Sequence, residues 1–125
     1  MSFCWVTLPV KNFEQSLTFY HDILGLPVVS SHSHEGMKMA MLGEEHQPKV
    51  ELLYQEYNQK EKMYSDISVG IQVKSLNETI EYLKTKDIQV IRGPISPNEH
   101  VQFAFIQDPD GYEVQLVEMK SLQKN

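Results

Sequence analysis

Hydrophobic and polar positions alternate from the start of the chain. Between residues 3 and 10, Cys4, Val6, Leu8 and Val10 share one face, with Trp5, Thr7 and Pro9 on the other. That is the period of a half-buried strand. Pro9 offers no backbone N–H, so the strand ends or meets a sheet edge there. Asn12 followed by Gln15 reads as a helix-capping pair. Phe13, Leu17, Tyr20 and Leu24 then recur at helical spacing until Gly25 stops the helix. Residues 26–34, 37–42 and 49–54 read as three more strands, separated by Glu35-Gly36 and by a looser loop from Gly43 to Pro48.

The polar stretch 55–65 reads as a linker, and beyond it the pattern repeats. From Val69 the chain runs Val-Gly-Ile-Gln-Val-Lys-Ser-Leu-Asn-Glu-Thr-Ile, echoing Val-Thr-Leu-Pro-Val-Lys-Asn-Phe-Glu-Gln-Ser-Leu from Val6, 63 residues earlier. Ile67, Val69, Ile71 and Val73 face one way, opposite Ser68, Gly70 and Gln72. Ser75 with Glu78 makes a capping box, and Leu76, Ile80 and Leu83 carry the helix stripe. Strands follow near 88–92, 100–107 and 112–118, and Asp108-Pro109-Asp110-Gly111 turns the chain into the last. A period this long means two copies of one supersecondary unit. The spacing predicts an α+β fold of eight strands and two main helices within one domain, 1–125. Repeat unit 1 covers 3–55 and repeat unit 2 covers 66–119, each strand–helix–strand–strand–strand.

Composition then narrows the function. The 125 residues suffice for one domain with a real core. The net charge of −6, with no clustered Lys or Arg, argues against nucleic acid as a partner, because phosphate neutralisation needs a concentrated basic surface. Cys4 is the single cysteine, so no internal disulfide is expected and a reducing compartment suits the chain. The apolar stretch from Phe3 to Leu8 lacks a basic leader and is too short for a bilayer. A soluble cytoplasmic protein with no membrane partner is the expectation.

Two stretches carry a resemblance. Val10 to Gly25, with Val-Lys-Asn-Phe-Glu-Gln-Ser-Leu-Thr-Phe-Tyr-His-Asp-Ile-Leu-Gly, resembles the first unit of the vicinal oxygen chelate superfamily of glyoxalases, bleomycin-resistance proteins and ring-cleaving dioxygenases. The ending Asp-Pro-Asp-Gly-Tyr-Glu-Val-Gln-Leu-Val-Glu, from Asp108 to Glu118, resembles that superfamily's closing turn and strand. The resemblance implies two four-stranded sheets curled into a cup, helices on the outside, and a homodimer with the cups at or near its interface. It does not by itself fix an activity, since the superfamily includes both enzymes and drug-binding proteins. Strand phasing places Trp5, Thr7, Ser68, Gly70 and Gln72 in the cup, together with Glu51, Leu53, Glu113, Gln115 and Val117. Val50, Leu52, Tyr54, Val114 and Leu116 face the helices.

Metal-binding members of this superfamily carry one ligand on the first strand and one on the last strand of each unit. The corresponding positions here are Trp5, Glu51, Ser68 and Gln115, of which only Glu51 is a strong ligand type. Indole has no lone pair to give, and Ser and an amide oxygen are weak neutral donors. No cofactor is therefore expected, and the alternative is a divalent metal such as Ni, Zn, Fe or Mn. Two readings stand. The first is a binder of a small organic molecule with a degenerate metal site, the ligand touching Trp5, Thr7, Glu51, Ser68 and Gln115. Trp5 would stack on a planar group, or else it fills the vacated metal position. The second is a glyoxalase I-like lyase or isomerase with Glu51 as catalytic proton shuttle. His32 and His34 share a strand face, and His100 would be a third ligand if the strands curl suitably. Exposed histidines on a polar strand are the plainer reading. Cys4 is expected as inert core on the helix-facing side. Met37, Met39 and Met41, at strand spacing, suit core or interface filling, or the wall of a lipophilic site.

Overall fold

The computed structural model describes residues 1–120, which fall into two compact units, Met1–Tyr64 and the described residues from Ser65 on. In the first, β1 (Trp5–Pro9) leads to α1 (Phe13–Leu17), which runs on into a π-helical segment, Thr18–Ile23. Then come β2 (Val28–His34), β3 (Met37–Leu42), β4 (Lys49–Gln55) and a single 3-10 turn, Glu56–Asn58. The second unit holds β5 (Ser68–Gln72), α2 (Leu76–Lys84), β6 (Arg92–Asn98), β7 (Val101–Gln107) and β8 (Glu113–Met119). The sheet orders are β1-β4-β3-β2 and β5-β8-β7-β6. In each sheet the first strand lies parallel to the last, and the other neighbours are antiparallel. The result is the expected α+β fold with eight strands.

Alternation along the strands decides what each sheet buries. Leu8, Val10, Ala40, Leu42, Val50 and Leu52 are buried in the first unit, where α1 packs on β3 and β4. Val69, Ala104, Ile106, Val114 and Leu116 are buried in the second, where α2 packs on β7 and β8 with Leu76 and Leu83. Each fully buried Leu or Ile contributes about 1.5–3 kcal/mol, so these one-sided stripes dominate the stability of both sheets. The opposite, open faces carry the polar positions.

Four expectations need correction. The first helix buries Phe13, Ser16, Phe19 and Tyr20, whereas Leu17 and Leu24 are only partly covered. The π-helical segment holds more residues per turn than an α-helix, which rotates the buried face away from an i, i+4 extrapolation. The strand expected near 88–92 begins instead at Arg92. Residues before it complete the end of α2: Ile88 N–H donates to Leu83 C=O at 3.0 Å, and Asp87 takes a left-handed φ of 61°. Pro94 and Pro97 fall in the two register shifts of β6, between Arg92 and Ile95 and between Ile95 and Asn98, irregularities that an edge strand tolerates. Cys4 is exposed, since β1 starts only at Trp5 and nothing covers the preceding residue. Ile67, expected on the buried stripe, lies before β5 and is also exposed.

The capping assignments agree with the structure. Asn12 Oδ1 accepts from Gln15 N–H at 3.0 Å, and Ser75 Oγ accepts from Glu78 N–H at 3.2 Å. A further cap was not apparent from the sequence: Glu118 on β8 accepts from Leu76 N–H at 2.7 Å, tying α2 to its sheet. Ser75→Ala and Glu118→Ala should each lower unfolding free energy by about 1 kcal/mol, the usual worth of a helix cap. Urea unfolding followed by far-UV circular dichroism should show lower midpoints with unchanged slope.

Candidate functional site

The open face of the first sheet is built by register. Thr7 on β1 lies opposite Glu51 on β4, which lies opposite Met41 on β3. One step along, Leu53 faces Met39, and Met39 faces His32. The Thr7 hydroxyl donates to Glu51 Oε1 at 2.5 Å, so one carboxylate oxygen is already engaged within the sheet. Glu51 is half-buried between this hydroxyl and the methionine side of the face. Trp5 pairs with Lys49, two positions before Glu51, and 49% of its surface is exposed. The Lys49 ammonium is turned to the preceding loop, donating to the carbonyl oxygens of Glu44, at 2.7 Å, and Gln47. This face thus offers a broad indole, a single free carboxylate oxygen, and a row of thioethers. Met37, Met39 and Met41 are all partly exposed on it, which disfavours core filling and leaves an interface or a lipophilic wall.

The second sheet repeats the register with different chemistry. Ser68 pairs with Glu113, Gly70 with Gln115, and Gln72 with Val117. Gln115 in turn faces Phe105 on β7, and Phe105 faces Arg92 on β6. Arg92 reaches across β7 to grip Glu113 with both terminal nitrogens, at 3.0 and 2.6 Å. Its guanidinium carbon lies 4.0 Å from the Phe105 ring centroid, within range of a cation–π contact. The hydrogen bonds to Arg92 hold Glu113 below the ordinary carboxylate range, and those to Glu113 raise Arg92 further. Glu113 is therefore a poor proton acceptor at neutral pH. Among the described residues, the Ser68 hydroxyl and the Gln115 amide make no side-chain hydrogen bond, so both remain available to a ligand.

Sequence reasoning placed Glu113 on the open face but missed its partnership with Arg92. The signal was present in the alternation of Phe103, Phe105 and Gln107 with buried Ala104 and Ile106. Only the onset of β6 hid which side chain would cover Phe105. His32 and His34 lie exposed on the edge strand β2, opposite Met39 and Met37. Among the described residues no three His, Cys, Asp or Glu side chains converge as a metal site would need. A cavity of about 390 Å³ opens between the start of α1 and the β2–β3 turn, lined by Lys11, Glu14, Lys38, Tyr54 and Glu56 among others. It includes none of Trp5, Thr7 and Glu51. Its two ammonium groups are committed, Lys38 to Glu14 at 2.8 Å and Lys11 to the Glu61 carbonyl at 2.7 Å. It is set apart from the candidate chemistry and we assign it no role in that chemistry.

The donor set does not fit a divalent first-row ion. Glu51 supplies one carboxylate, with one oxygen accepting from Thr7 and the other free, Trp5 supplies no lone pair, and Ser68 and Gln115 supply two weak neutral oxygens.

A pair of strand–helix–strand–strand–strand units, each closed by a parallel first-to-last pairing, defines a duplicated α+β class. Residues 2–116 match the sequence profile of the Glyoxalase/Bleomycin resistance protein/Dioxygenase superfamily, and the chain belongs to it. A lactoylglutathione lyase of Haemophilus influenzae is 30% identical over 124 aligned residues, covering 91% of this chain and 90% of that one. A lactoylglutathione lyase of Neisseria meningitidis is 29% identical, with 91% and 88% covered. Among solved structures, glyoxalase I of Leishmania major superposes with a TM-score of 0.76 at 22% identity, covering 94% of this chain and 86% of that one. An antibiotic-binding protein from Streptomyces superposes at 0.73 with 15% identity, covering 96% and 97%. The structural matches establish the fold.

The lowered Glu113 pKa has a consequence for stability. A carboxylate whose folded pKa lies below its unfolded value stabilises the fold above that value and loses the effect as pH falls through the folded pKa. Glu113→Gln should therefore be less stable than the parent at neutral pH, and the gap should close as pH falls through and below the ordinary carboxylate range. Urea midpoints of both proteins across that range check this.

Proposed function

We propose that this chain is a metal-independent binder of a small organic molecule. The ligand rests on the open faces of its sheets, and the chain acts as a homodimer in the cytoplasm. The observation that carries this reading is the substitution of three metal-ligand positions by Trp5, Ser68 and Gln115, with Thr7 engaging the fourth, Glu51. These residues have lost the chemistry of chelation and kept that of recognition. Trp5 offers a stacking surface, Ser68 and Gln115 offer donors and acceptors, and Glu51 offers one free oxygen. Membrane association is not part of the proposal: among the described residues no helix is long and apolar enough to cross a bilayer. The test is metal analysis of protein purified without chelators, followed by native mass spectrometry after incubation with a cell metabolite extract. We expect sub-stoichiometric metal and a retained organic ligand on a dimer. Near-stoichiometric Ni, Zn, Fe or Mn would overturn the reading.

The full-length likeness to lactoylglutathione lyases supports a second reading, a lyase or isomerase in which Glu51 moves the proton. Thr7 would hold one carboxylate oxygen and leave the other to meet a substrate C–H. On this reading Glu51→Gln abolishes turnover of a glutathione hemithioacetal while ligand affinity and the unfolding midpoint stay nearly unchanged. Absence of any turnover by the parent protein with such thiol adducts removes it.

A further inference from the structure

One row of the second sheet carries more than the sequence-predicted site residues. Read across its four strands, the row is Gly70, Gln115, Phe105 and Arg92, each the register partner of the next. At one end the Arg92 guanidinium covers Phe105 and is held by both oxygens of Glu113. At the other end the row has no side chain at all. Gly70 does not need to be glycine for its backbone, since its φ lies outside the left-handed region, and a Cβ built there would meet nothing within 4 Å. Glycine inside a strand weakens it, and commonly marks close approach of a ligand or another backbone.

Comparison with the first unit sharpens the point. There Thr7 occupies the place equivalent to Gly70, and its hydroxyl ties down Glu51, the equivalent of Gln115. In the second unit nothing caps Gln115, and its amide is left uncommitted among the described residues. The bulge in β6 between Arg92 and Ile95 falls next to the residue that covers Phe105, as bulges that re-aim a side chain do. Phe103, edge-on to Phe105 with centroids 5.9 Å apart, and Val117 continue the same face as an apolar floor.

We propose that the row from Gly70 to Arg92 is the floor of a binding site for an uncharged planar aromatic ligand. This rests on the small-molecule reading above and names its ligand class. The ring system stacks at the Arg92–Phe105 end, because a guanidinium attracts a π-face and Phe105 covers only one of its sides; 49% of the Arg92 side chain stays exposed. Glu113 neutralises that charge, so the site gains little from a formal anion. A hydroxyl or carbonyl substituent meets the Gln115 amide, and the notch above Gly70, about two strand spacings beyond Phe105, leaves that end of the row open to a longer fused-ring ligand.

The test uses the full chain and three probes of similar size: naphthol, its saturated counterpart decahydronaphthol, and naphthoate. Binding is followed by NMR titration, including the Arg92 Nε–H resonance. Naphthol should bind tighter than decahydronaphthol and no weaker than naphthoate, and should move the Arg92 signal by ring current. Arg92→Lys keeps the charge and removes the planar surface; it should weaken naphthol by about tenfold, the upper range for such a contact. Gly70→Val should weaken a longer fourth probe, the three-ring hydroxyanthracene, while leaving naphthol binding unchanged and the urea midpoint equal or higher, because a β-branched residue suits a strand. A merely structural glycine would not give that combination. Equal binding of naphthol and decahydronaphthol, tighter binding of naphthoate, or no binding of any probe overturns the proposal. So does a change of oligomeric mass in Gly70→Val, which would assign the notch to a subunit contact. Each of these outcomes leaves the metal-content and metabolite experiment to judge the broader reading separately.

Discussion

The parallel pairing of the first and last strand in each unit is the constraint on which the site depends. It is non-local in sequence: Thr7 meets Glu51, and Gly70 meets Gln115. Only a crossover through a helix and two further strands permits it, and that crossover supplies the helix covering the buried face. The same register fixes which face is polar. A slip of one residue would turn Glu51 and Gln115 into the helix-packed core and Leu52 and Leu116 out of it. Burial of Leu8, Leu52, Val114 and Leu116 therefore specifies the site as firmly as it stabilises the sheets.

Duplication allows the two halves to be compared position by position. In both, the residue that opens the first strand pairs with a residue two before the polar one on the last strand: Trp5 with Lys49 ahead of Glu51, and Ser68 with Glu113 ahead of Gln115. The scaffold is thus repeated to the residue while the chemistry has diverged. The first unit carries an indole, a hydroxyl-bound carboxylate and methionines. The second carries an open amide, an aromatic pair and a neutralised arginine. Such divergence on a shared register is expected when selection acts on what the faces touch and packing holds the strands in place.

Most of this was legible in the sequence because it rests on alternation and on turns. The strands over 37–42 and 49–54, the capping residues Asn12 and Ser75, and the faces of Glu51 and Gln115 follow from period and local chemistry. What was not legible depends on contacts between distant segments. The π-helical run after Leu17 changes the helix phase without a sequence punctuator. The start of β6 is set by how α2 finishes at Asp87 and Ile88. The grip of Arg92 on Glu113 follows only once that start is known. Burial of Cys4 was expected from its phase alone, but phase says nothing of where the covering layer ends.

The Thr7–Glu51 bond shows how a carboxylate is accommodated on such a face. Glu51 carries two acceptor oxygens on a partly covered face, and an unpaired one there is costly. A hydroxyl in register on the neighbouring strand meets that cost locally, without a charged partner. Gln115 answers the same problem differently: a neutral amide needs no counter-charge and stays open to a ligand. The charged member of the second unit, Glu113, stands two residues away and is matched by Arg92. Glu51 and Glu113 thus each have a partner of their own, while among the described residues the neutral Ser68 and Gln115 side chains have none. The proposed recognition of an uncharged molecule rests on that distribution.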